Sequence, residues 1–91
     1  MQLKIKKTTQ EEIFIETPKY YETYTTIIKL CEKGITKVGD DMMFHYPVSQ
    51  SDYFINEVMD LLGKGKEVEE QVFIDKLETA ILTIKNIVYE K

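Results

Sequence analysis

Cys31 and His45 are the residues of this 91-residue chain that could serve as a nucleophile and its base. A thiol–imidazole pair also needs a group that orients the base and donors for an oxyanion. No pattern around either residue supplies them. A structural cysteine packing as a small hydrophobe accounts for the first, and a surface histidine for the second. Asp40, Asp41 and His45 carry oxygen and nitrogen donors suited to a metal. Adjacent aspartates on an extended chain point to different sides, however, and one histidine without a second soft ligand holds zinc poorly. Turn chemistry alone explains Gly39-Asp40-Asp41, because glycine and aspartate tolerate the backbone angles of a turn. Gly63-Lys64-Gly65-Lys66 has the flavour of a phosphate loop. That motif would require glycine at Asp60 and serine or threonine at Glu67, so a flexible hinge is the better reading. The six tyrosines could stack on bases or sugars. Without positive charge around them they read as half-buried sheet aromatics. No catalytic residue, cofactor or metal is assigned.

Composition narrows the field further. All 12 basic residues are lysine and the net charge is −4. Arginine is the usual residue for bidentate recognition of phosphate and guanine. Its absence, with the negative balance, argues against an extended nucleic-acid face. Lysine-rich, arginine-free usage with one alanine, Ala80, fits a low-GC genome. A single cysteine forbids an intramolecular disulfide. No apolar run follows the early lysines, and no apolar stretch is long enough to span a bilayer. A soluble, cytoplasmic, single-domain protein is expected.

The elements that would position these residues follow from periodicity. Leu3 and Ile5 alternate with Lys4 and Lys6, and Ile13 and Ile15 with Glu12, Phe14 and Glu16, which predicts a hairpin over 2–17 with one buried face. Thr8-Thr9-Gln10-Glu11 would form its turn, and Pro18 its end. Residues 19–34 fit two patterns. Tyr20, Tyr24, Ile27, Ile28 and Cys31 have helical spacing, with Thr17 and Pro18 placed to start a helix. The density of β-branched and aromatic side chains favours a strand over about 23–32. Short strands at Ile35–Val38 and Met42–Tyr46 complete an antiparallel meander of four or five strands. Ser49 or Ser51 should cap a short helix with the stripe Phe54, Val58, Leu61 and Leu62, ended by Gly63. Over 67–90, Phe73, Leu77, Ala80, Ile84 and Ile87 recur at spacings of four and three, with Ile74, Ile81 and Val88 beside them. This is the face of a long amphipathic helix lying on a core. The fold class is therefore α+β.

The run Ile15-Glu16-Thr17-Pro18-Lys19-Tyr20-Tyr21, the short strands up to Tyr46 and the acidic start of the last helix form a pattern. It resembles small uncharacterised β-then-helix proteins of gut Bacteroidetes and their phages. The resemblance implies a mobile-element or phage context and no particular activity.

With no site chemistry to lead, the expected function is non-enzymatic: a protein–protein interaction or assembly module that forms a homo-oligomer. A helix of 24 residues runs about 36 Å, while a four-stranded sheet is about 14 Å across its outer strand axes. Apolar surface is thus expected to be left over, and Val72, Phe73, Leu77, Leu82 and Ile84 are the expected interface. The alternatives are a small regulatory or inhibitory protein binding one host partner, and a small thiol enzyme using Cys31 and His45.

Overall fold

The computed structural model describes residues 1–6 and 11–90. It is an α+β fold: a two-stranded hairpin, a five-stranded antiparallel sheet and two helices. Strands β1 (Gln2–Lys6) and β2 (Glu12–Glu16) pair with Leu3 opposite Ile15 and Ile5 opposite Ile13. Leu3, Ile5 and Ile15 are buried, and Lys4, Lys6, Glu12 and Glu16 are exposed, as strict alternation requires. Lys4 Nζ lies 3.3 Å from Glu12 across the solvent face. Residues 8–10 of the expected turn lie outside the described residues. The Thr17–Pro18 peptide that follows is cis.

The main sheet holds β3 (Lys19–Glu22), β4 (Ile27–Cys31), β5 (Gly34–Val38), β6 (Met43–Pro47) and β7 (Lys66–Val68). Its order is β6-β5-β4-β3-β7. The first four form the expected meander, but the strand expected over about 23–32 begins only at Ile27: residues 23–26 are a turn, and Lys19–Glu22 before it is a further strand. Thr23 and Thr26 make that turn. Their backbones bond to each other at 2.9 and 3.3 Å, and their hydroxyls meet at 2.6 Å. Threonine hydroxyls stand in for the usual Gly, Asn or Pro, and Tyr24 projects fully into solvent at the tip. Gly34 opens β5 with φ +131°, a conformation other residues avoid. It is buried, and a side chain there would strike the Tyr46 carbonyl oxygen.

Helix α1 (Asp52–Lys64) begins at Ser51, whose Oγ accepts from the Phe54 N–H at 3.3 Å. Ser49 supports that cap by accepting from the Ser51 N–H at 3.0 Å. The expected stop at Gly63 and hinge at Gly63–Lys66 are both corrected. Gly63 and Lys64 are helical, Gly65 ends the helix, and Lys66 begins β7. Gly65 donates to Leu61 O at 2.8 Å, and any Cβ on it would press on the Tyr21 ring. Close approach, not a left-handed turn, selects glycine there. Helix α2 consequently starts at Glu70 and not at 67, because Glu67 and Val68 extend the sheet against Tyr21 and Tyr20.

Alternation gives the sheet two apolar faces. Tyr21, Ile28, Leu30 and Ile35 point to one, where they pack with Leu3, Ile5 and Ile15 of the hairpin and Phe54, Ile55, Val58 and Leu61 of α1. Tyr20, Ile27 and Val38 point to the other, where Phe73 and Ala80 of α2 cover them. Tyr20 and Phe73 meet at 5.4 Å between ring centres, tilted by 44°. Ala80 is fully buried in the same cluster as Val38, its small side chain suited to close approach of helix to sheet. Lys37 pairs with Glu57 of α1, and Lys76 of α2 with Asp40 in the β5–β6 turn, so each helix has one ion pair fixing its position.

Two predictions follow from this packing. Phe73→Ala should destabilise the fold by about 3–5 kcal/mol, the usual cost of emptying a buried aromatic site. Val88→Ala, at a position 66% exposed, should cost well under about 1 kcal/mol at concentrations where the chain is monomeric. Urea denaturation of the two variants measures this, and similar losses at both sites would contradict the packing. The second prediction concerns pH. Burial, and then the charge of Glu70 3.4 Å from its hydroxyl, raises the Tyr20 phenol above the ordinary 10.0. Burial, and then Glu67, raises Tyr21 above the same value. Both phenols therefore keep their protons to higher pH in the folded state than in the unfolded one. Their contribution is complete below pH 10.0 and is lost as pH rises through the raised folded values. Stability of the Tyr20→Phe, Tyr21→Phe double variant should fall less steeply than that of the parent above this pH. Parallel slopes would count against it.

Candidate interaction surface

The structure separates Cys31 from His45. Cys31 ends β4 and His45 is the middle of β6, with β5 between them. Two strand spacings and a two-residue offset along the strands put their backbones about 11–12 Å apart. His45 Nδ1 is held instead by Thr36 Oγ1 at 2.9 Å on the neighbouring strand. Cys31 is half-buried beside an open hollow that it shares with Thr17, Pro18, Lys29 and Lys33. Asp40 is engaged by Lys76. Among the described residues no three histidine, cysteine, aspartate or glutamate side chains converge, and no helix is long and apolar enough to cross a membrane.

The tyrosines do not assemble into a platform. Tyr20 and Tyr21 are buried on opposite faces of the sheet, while Tyr24, Tyr53 and Tyr89 are exposed on separate elements. Tyr46 stacks on Phe44 at 6.5 Å, with Lys37 Nζ 5.4 Å above its ring. That pair lies on β6, an edge strand without a charged residue. The opposite edge, β7, is only three residues long and carries Lys66 and Glu67, paired with Glu22 and Lys19 at 3.8 and 3.7 Å. Short charged edges resist pairing with another chain, and apolar ones invite it.

A further exposed apolar feature is the second half of α2. The face of the sheet beneath this helix is apolar only along a strip through Val68, Tyr20, Ile27 and Val38. Lys29, Thr36 and His45 follow on the same face by alternation. The helix crosses the strip from Phe73 to Ala80 and then runs on past it. Leu82, Ile87, Val88 and Tyr89 are 61%, 59%, 66% and 77% exposed. The overall extents are 55 × 23 × 23 Å. The radius of gyration is 14.5 Å, against about 12 Å for a compact chain of this length.

The five expected interface residues fall into two groups. Phe73 is buried on Tyr20, and Leu77 is half-buried against the same cluster, so the chain's own sheet uses both. Val72 and Leu82 are exposed, and Ile84 is half-buried. Ile87, Val88 and Tyr89 lie outside the expected set, yet they are exposed to about the same degree as Leu82 or more. The signal that would have found them is the run of polar residues, Lys29, Thr36 and His45, at alternate strand positions. It limits how much of the helix one sheet can cover. Comparison with protein-family models, with curated proteins and with solved structures gives no match.

Proposed function

We propose that this protein is a non-enzymatic interaction and assembly module that self-associates through α2. The observation that carries the reading is the overhang, where large apolar side chains follow one another beyond the edge of the chain's own core. The chain exposes 6432 Å², about 900 Å² more than the roughly 5,500 Å² usual for a compact monomer of its mass. A stable interface takes about 800 Å² from each partner. A symmetric dimer is the simplest assembly that covers it.

Light scattering over a concentration series is the test. The parent chain should move from monomer to dimer as concentration rises. Ile87→Lys and Val88→Lys should hold it as a monomer with an unchanged far-ultraviolet circular dichroism spectrum, because neither side chain contributes to the monomer core. A monomeric parent at the highest concentrations would refute the proposal.

A second reading, a small regulatory or inhibitory protein, is favoured by the uncharged β6 edge, where an extended segment of another protein would add as a sixth strand. Stoichiometric capture of one partner that is lost on Phe44→Lys, with the α2 lysine variants still binding, would favour it over self-association.

A further inference from the structure

The α2 overhang carries a pattern that specifies how a second copy would dock, and this inference rests on the self-association reading. Ile74, Leu77, Ile81, Ile84 and Val88 follow spacings of three, four, three and four, the a/d seam of a coiled coil. Phe73, Ala80 and Ile87 form one flank of that seam, and Glu78 and Lys85 the other. The first flank is turned toward the chain's own sheet, which buries Phe73 and Ala80 and leaves Ile87 beyond its edge. The second flank faces solvent, and neither Glu78 nor Lys85 has an ion-pair partner among the described residues.

These two flanks decide the direction of pairing. In a parallel pair each charged flank meets the other helix's Phe73–Ala80–Ile87 flank, the side on which the sheet already sits. Glu78 and Lys85 would then find apolar side chains and the body of the protein. In an antiparallel pair like flank meets like flank. We propose that two copies join through α2 antiparallel, about a two-fold axis near Leu82 and Thr83, with Glu78 of each copy paired to Lys85 of the other. In this register Ile81 packs on Ile84 of the second copy, and Leu77 on Val88. Ile84 and Val88 of the overhang thus meet Ile81 and Leu77 of the other helix, of which Leu77 packs against its own sheet. The two-fold makes both ion pairs at once, which is the self-complementarity an isologous interface requires.

Sedimentation equilibrium of charge-exchange variants tests the register. Glu78→Lys places lysine against Lys85, and Lys85→Glu places glutamate against Glu78, twice in each dimer. Each variant alone should dimerise about tenfold more weakly than the parent at low salt, since exposed pairs act modestly and add over two sites. An equimolar mixture of the two variants should regain the parent's affinity as a heterodimer, because one pair is restored as in the parent and the other in reverse. If the parent dimerises and neither the variants nor their mixture differ from it, or if the variants weaken and mixing restores nothing, the antiparallel register is overturned while self-association stands. A parent that stays monomeric overturns both.

Discussion

Neighbouring residues of a strand point to opposite faces, and in β3 and β4 both neighbours are large and apolar. Tyr20 and Tyr21, and Ile27 and Ile28, commit the sheet to two hydrophobic faces where it is built from the first pair of its meander. A sheet of this sort needs a cover on each side. The remainder of the chain meets that requirement unequally. The hairpin and α1 together close one face, where Leu3, Ile5, Leu30, Ile35 and Val58 are almost completely removed from solvent. A single helix closes the other.

The inequality explains the outline of the molecule. The face under α2 changes from apolar to polar within one strand repeat, so the helix has only a short strip to lie on. Phe73 anchors it at the Tyr20 end and Ala80 at the Val38 end, and the ion pair of Lys76 with Asp40 sits between them along the helix. Past Ala80 no residue of the helix is buried, although Ile81 and Ile84 are still half-buried, and its sequence keeps the same apolar period. The periodicity that roots the helix and the periodicity that leaves it exposed are one pattern. It is interrupted by the extent of the sheet and not by any change in the helix.

Much of this architecture was legible in the residues. The hairpin and its buried face followed from alternation alone, and a helix start at Ser49 or Ser51 and the long final helix from their local signatures. The hidden features share a cause. The β3–β4 turn is held by two threonine side chains, and threonine is as common in strands as in turns, so nothing in Thr23-Tyr24-Thr25-Thr26 marks a reversal. The hinge reading of Gly63–Lys66 failed because Gly65 serves close packing on Tyr21, a contact made by residues more than forty positions apart. The start of α2 failed in the same way. Lys66–Val68 is a strand because β3 offers an edge with matching charges, and no local propensity reports that. The surface was half legible: apolar excess on the last helix could be read, but its location depended on which face of the sheet was polar.

The sheet order also fixes a sequence of events in time. Strands β3, β4 and β5 are each hydrogen-bonded to the next strand in the chain, and β1 to β2, so these pairs form between segments that leave the ribosome one after another. β7 is different: it returns after α1 to the outer edge of β3. Until Lys66–Val68 has been synthesised and released, the outer side of β3 stands open, and the Val68 end of the strip that α2 needs does not exist. The last helix therefore has an incomplete seat on the sheet before those three residues are in place, although they are the shortest strand of the fold.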